Sequence, residues 1–130
     1  MVIEGWPYHD DMKRIASLED IPDTGLKFAY SEGPLEEEGI LLKMSDGSVR
    51  AYKNQCRHLP MRLDDREPSE FFDPAKGELL CNSHGATFRS DDGLCTAGPC
   101  KGSHLKVLPI SVEDGVVFID ESATGSFFDV

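Results

Sequence analysis

Two short segments of this chain each pair a cysteine with a histidine: Cys56-Arg57-His58 and Cys81-Asn82-Ser83-His84. A thiolate and an imidazole one or two residues apart are metal-ligand chemistry, and here the pair is supplied twice. Such a set can surround one ion or two. A zinc site with two Cys and two His would use the same atoms, although zinc fingers pair Cys with Cys and His with His within each local motif. Spacing alone leaves both options open. Four Cys also allow two disulfides. Residues 1–10 lack the basic start and apolar run of a secretory leader, so metal or redox chemistry and a cytoplasmic location are expected instead.

The flanking residues narrow the choice. Cys81-Asn82-Ser83-His84-Gly85-Ala86-Thr87-Phe88 is followed by Gly98-Pro99, with Cys56-x-His58 upstream. This order closely resembles the Rieske ferredoxin family, and the likeness extends from the strand before Cys56 to the hairpin at 112–119. It implies one 2Fe–2S cluster, with Cys56 and Cys81 on an inner iron and His58 and His84 on an outer one. It also implies that the Gly98-Pro99 loop covers the cluster. The implied role is that of a one-electron carrier with no catalytic residue of its own, taking its electron from a flavoprotein reductase and passing it to an oxygenase.

Neutral imidazoles hold an added electron better than thiolates, which puts mixed His/Cys clusters at about −150 to +300 mV. High-potential members of the family carry a Ser after the His-Gly, a Tyr two positions later and an extra Cys in each ligand loop. Here Ala86 and Phe88 offer no hydroxyl, and Met61 and Ser83 stand where the extra Cys would fall. A midpoint near the low end, about −150 mV, is therefore expected.

Other residues carry less. Cys95 and Cys100 flank the Gly-Pro loop; a disulfide across the turn and redox-sensitive thiols are alternatives, and packing is the first reading. The 22 residues between His58 and Cys81 exceed the usual family spacing. The extra length around 67–76, with Phe71-Phe72, reads either as a docking surface or as a neutral extension. His9 and His104 are read as surface or packing residues. Trp6 and Phe127-Phe128 could staple the chain ends onto the sheet or touch another protein.

The elements that must position these residues read as short strands. In Gly39–Met44, Ile40, Leu42 and Met44 share one face at a two-residue period. The turn Ser45-Asp46-Gly47-Ser48 leads into a returning strand over 49–54. Leu105–Val112 places Leu108, Ile110 and Val112 on one face, and Pro109 marks an edge strand. Asp114-Gly115 then turns the chain into Val116–Asp120. Residues 27–30 are a weaker strand candidate, and Leu18–Asp20 is at most a short helical turn. The stretch from about 55 to 104 shows little alternation and reads as a loop-rich insert with no apolar core of its own, held by the metal centre. The expectation is an all-β, Rieske-like single domain over 1–130, an antiparallel base with a cluster-binding part at about 55–104.

The formal charge of −11 disfavours nucleic acid and anionic membranes as partners and favours a protein with a basic docking face. Glu36-Glu37-Glu38 is the acidic run, read as a solvated loop. No apolar run approaches the ~18–20 residues of a membrane-spanning helix. A catalytic oxygenase would need, beyond the cluster, a mononuclear iron held by two His and a carboxylate, for which this chain is too short.

Overall fold

The period-two patterns and turn residues resolve into three antiparallel sheets. The computed structural model describes residues 12–55, 63, 71–81, 86–98 and 101–124. In chain order the strands are β1 (Met12–Ser17), β2 (Leu26–Glu32), β3 (Leu35–Lys43), β4 (Val49–Lys53), β5 (Phe72–Asp73), β6 (Glu78–Leu80), β7 (Thr87–Arg89), β8 (Cys95–Ala97), β9 (Ile110–Glu113) and β10 (Val116–Asp120), with one 3-10 turn at Leu18–Asp20. The sheets run β1-β10-β9, β2-β3-β4 and β5-β6-β7-β8. Among the described residues no helix is long and apolar enough to cross a membrane.

Both expected hairpins form. At the β3–β4 turn the Met44 N–H donates to the Ser48 carbonyl at 2.7 Å, and Asp46 accepts from the Ser48 N–H at 2.9 Å. At the β9–β10 turn Asp114 and Gly115 both have positive φ, +52° and +75°, the pattern of a tight I′ hairpin turn. β9 is an edge strand, as Pro109 requires. The face read for 105–112 holds only in part: Leu108 is buried, but Val112 is 43% exposed. The ladder starts at Ile110, and the segment before Pro109 instead runs beside β4 through a Tyr52–Val107 bridge.

The second half of β3 is buried on both sides, which single-face alternation did not anticipate. Ile40, Leu41 and Leu42 are all 0% exposed. Leu41 and Ala51 face the base core with Ile21, Tyr30, Leu108, Val117 and Ile119. Ile40, Leu42 and Tyr52 face a second core with Leu63, Leu79, Phe88 and Leu105. Burying each large aliphatic side chain contributes about 1.5–3 kcal/mol, so β3 anchors two layers at once.

The second core corrects the expectation for 55–104. That stretch carries a four-stranded meander and supplies Leu63, Phe71, Leu79, Cys81, Ala86, Phe88 and Cys95 to an apolar core. Its strands are only two or three residues long, too short for alternation to register. The meander is tied to the base: the Tyr52 hydroxyl donates to the Ser90 carbonyl at 2.7 Å and Arg50 Nε to the Asp91 carbonyl at 2.9 Å.

Candidate metal centre

β6 points Leu79 into the second core, and the period of two returns Cys81 to that face. The Cys81 residue is 0% exposed. Its backbone N–H donates to the Ala86 carbonyl at 2.8 Å. That bond pins both ends of the segment 82–85 between β6 and β7. Ala86 and Phe88, both 0% exposed, continue the same apolar wall.

The third segment leaves β8 against that root. Gly98 adopts φ +101°, and a Cβ there would lie 2.7 Å from the Ala86 Cα. Only a glycine permits both this conformation and this approach. The chain folds back at once, with Lys101 N–H donating to the Gly98 carbonyl at 3.2 Å and Gly102 N–H to the Cys95 carbonyl at 3.1 Å.

The first segment is tied off by a side chain. Asn54 continues the β3–β4 ladder, donating its N–H to the Glu38 carbonyl at 2.8 Å, and Gln55 N–H then turns back to the Lys53 carbonyl. Leu63 returns to the core, and its N–H donates to Asn54 Oδ1 at 2.9 Å. Asn54 Nδ2 donates to Glu38 Oε1 at 2.8 Å. Leu63 and Cys81 thus share one core with Ala86, the neighbour of Gly98. Cys56, His58, His84 and Pro99 themselves lie outside the described residues, as do Met61, Ser83, Cys100, His9, Trp6, Phe127 and Phe128.

Cys95 packs as expected, 1% exposed in the second core, with its thiol directed to the Ala97 carbonyl at 3.3 Å. His104 is exposed. Phe71 is buried and Phe72, partly buried, packs against the second core, so both rings of the long intermotif segment contribute to that core. Asn54 and Leu63 were missed at the level of sequence; the available signal was an amide side chain two residues before a candidate ligand. A groove of about 820 Å³, lined by Lys43, Pro74, Lys76, Glu78 and Asp91 among others, involves the β5–β6 and β7–β8 turns.

The Rieske 2Fe–2S domain family matches residues 14–112, most of the chain. The chain belongs to the Rieske 2Fe–2S domain family. Solved Rieske structures share its fold. A ferredoxin of Sphingomonas yanoikuyae B1 is 27% identical, with a TM-score of 0.61 over 83% of this chain and 96% of that one. The ferredoxin of carbazole 1,9a-dioxygenase from Nocardioides aromaticivorans IC177 is 22% identical, with a TM-score of 0.63 over 85% and 97% of the two chains. A complex of reduced oxygenase and oxidized ferredoxin in carbazole 1,9a-dioxygenase gives a TM-score of 0.65 at 19% identity, covering 87% of this chain and 95% of that one. Among curated proteins, the oxidoreductase NdmD of Pseudomonas putida is 27% identical over 111 residues, 80% of this chain. The aligned part is 17% of that protein's length.

One Rieske-type 2Fe–2S cluster is the cofactor of this family, and the described residues of the Rieske chain suit it. A thiol set in an apolar wall is a poor nucleophile, and its thiolate needs a cation beside it to offset the loss of water. Cys81 is such a thiol, at the root of a loop pinned at both ends. The close Gly98–Ala86 packing brings the root of the Gly-Pro segment against the root of that candidate ligand segment.

Proposed function

We propose that this Rieske protein is a cytoplasmic one-electron carrier that holds its cluster on four side chains: Cys56 and Cys81 on the inner iron, His58 and His84 on the outer. The observation that carries this is the convergence of two tied-off loops on one core. The segment 55–62 is closed by Asn54 onto Leu63, the segment 82–85 by Cys81 onto Ala86, and Leu63, Cys81 and Ala86 pack together. The proposed organisation is one domain over 1–130, with the cluster-binding part at about 55–104 between the strands of the base.

When bound, the cluster supplies a reversible one-electron site in the range of about −150 to +300 mV. The chain's own residues do the rest. The thiolates offset positive charge on the inner side, the imidazoles favour the electron at the outer side, and the apolar wall of Ala86, Phe88 and Leu79 excludes water. Gly98 and Pro99 are proposed to cover the centre. Ala86 and Phe88 bring no hydroxyl, which supports a midpoint near −150 mV.

The proposed donor is a flavoprotein reductase and the proposed acceptor an oxygenase. Support comes from the structural relatives, among them a ferredoxin bound to the oxygenase of carbazole 1,9a-dioxygenase. Analysis of iron and acid-labile sulfide in the purified protein, with electron paramagnetic resonance after reduction, tests the centre. The expected result is two of each per chain and a signal averaging near g ~1.9. A colourless protein with stoichiometric zinc would reject it.

A further inference from the structure

We propose that Asn54 is a positioning residue for the first ligand loop, a clamp that sets where the segment 55–62 leaves and re-enters the fold. This rests on the reading that Cys56 and His58 of that segment are cluster ligands. Asn54 is 4% exposed, one of the few buried polar side chains among the described residues. A buried amide is costly unless its hydrogen bonds are made. Here both ends of the amide are used, Oδ1 accepting from the Leu63 N–H at 2.9 Å and Nδ2 donating to Glu38 Oε1 at 2.8 Å.

The backbone gives these bonds their purpose. Asn54 N–H makes the last rung to Glu38, and the Gln55 N–H bond to the Lys53 carbonyl, 2.8 Å, swings the chain off the sheet. Leu63 re-enters nine residues later with its side chain 0% exposed, and its N–H meets the amide at which the loop began. One side chain therefore ties both ends of the loop to β3.

The chemistry selects asparagine. The position needs one acceptor and one donor together, which an amide supplies. An aspartate could accept from Leu63 but would set a second carboxylate against Glu38. A leucine could do neither. Toward Asn54, Glu38 needs only to accept, so glutamine there retains this bond.

The test uses the metal-loaded protein and the variants Asn54→Ala, Glu38→Gln and Lys106→Met. Lys106 ion-pairs with Glu32 and serves as a control for general destabilisation. The first readout is the rate of cluster loss to a chelator, followed by visible circular dichroism. The second is backbone hydrogen exchange by mass spectrometry over the peptide 55–63. The expected outcome is roughly tenfold faster loss in Asn54→Ala, with faster exchange confined to 55–63. Glu38→Gln stays within about twofold of the parent, and Lys106→Met lowers thermal stability without a selective change in either readout. Unchanged exchange over 55–63 in Asn54→Ala, or equal acceleration in Lys106→Met, overturns the clamp. Failure of the cluster reading is separately visible, because the parent protein itself would then lack the reduced-state signal. The exchange measurement judges the clamp in either case.

Discussion

Gly98 holds φ +101° while its α-carbon faces the backbone of Ala86, so a single added methyl meets two obstacles at once. Gly98→Ala is expected to cost about 1–3 kcal/mol through backbone strain and overpacking. Thermal melting of the loaded protein checks the size of the effect. A larger effect on cluster retention than on melting would locate the damage at the loop root. Tyr52 offers a second test at this scale. Burial pushes its hydroxyl up from the ordinary 10 to about 12. The neutral phenol is the form that fits the fold, donating to the Ser90 carbonyl. Its contribution is complete below pH 10 and is lost as pH rises through about 12. An absorbance titration of wild type against Tyr52→Phe is expected to show one tyrosine ionising near pH 12, with the alkaline loss of stability reduced in the variant.

Among the elements, a network joins β2 to the segment that returns from the meander to the base. Lys106 donates to Glu32 at 2.9 Å and also reaches the Thr124 carbonyl, Lys53 reaches Glu32 at 3.2 Å, and Thr124 Oγ1 donates to the Ser31 carbonyl at 2.6 Å. Burial acts to raise the Glu32 pKa, but the hydrogen bonds and charges of Lys106 and Lys53 outweigh it and hold the carboxyl below its ordinary 4.5. A lowered native pKa means that the stabilisation is present above 4.5 and fades as pH falls through the native value. Glu32→Gln is expected to lose about 1–2 kcal/mol at neutral pH. Denaturant unfolding should show that gap closing toward acid pH; a gap that persists unchanged would place the loss in packing and not in charge. The lysines were visible in sequence, but their convergence on Glu32 was not, because Lys106 lies 74 residues from its partner.

At the scale of the whole molecule, the charge of −11 acts over distances that single contacts do not reach. An acidic carrier meeting a basic docking face associates quickly at low salt and more slowly as ions screen the pair. Stopped-flow reduction by a flavoprotein reductase is expected to slow about tenfold between about 0.02 and 0.5 M salt. A rate that rises with salt would point to an acidic partner face. The two-core architecture belongs to this scale as well. Because β3 is buried on both sides over Ile40–Leu42, a cavity at Leu41 weakens the base core and one at Ile40 weakens the core shared with the meander, although the two positions are adjacent in the chain. Leu41→Ala and Ile40→Ala should each cost about 2–5 kcal/mol by denaturant unfolding. Only Ile40→Ala is expected to speed cluster loss at matched stability.

The amino-acid sequence by itself determined the chemistry and the periphery of the fold. The order Cys-x-His, Cys-x-x-His-Gly and Gly-Pro marked the family, because ligand geometry tolerates little variation in spacing. The turns at Asp46-Gly47 and Asp114-Gly115 marked their hairpins, because turn conformation depends on local residues alone. Only the tertiary structure decided that Ile40-Leu41-Leu42 divides between two cores, that the meander β5–β8 has an apolar core, and that Asn54 meets Leu63. Those facts depend on contacts between residues far apart in the chain. Two-residue strands and a lone asparagine carry no periodic signal from which such contacts could be read.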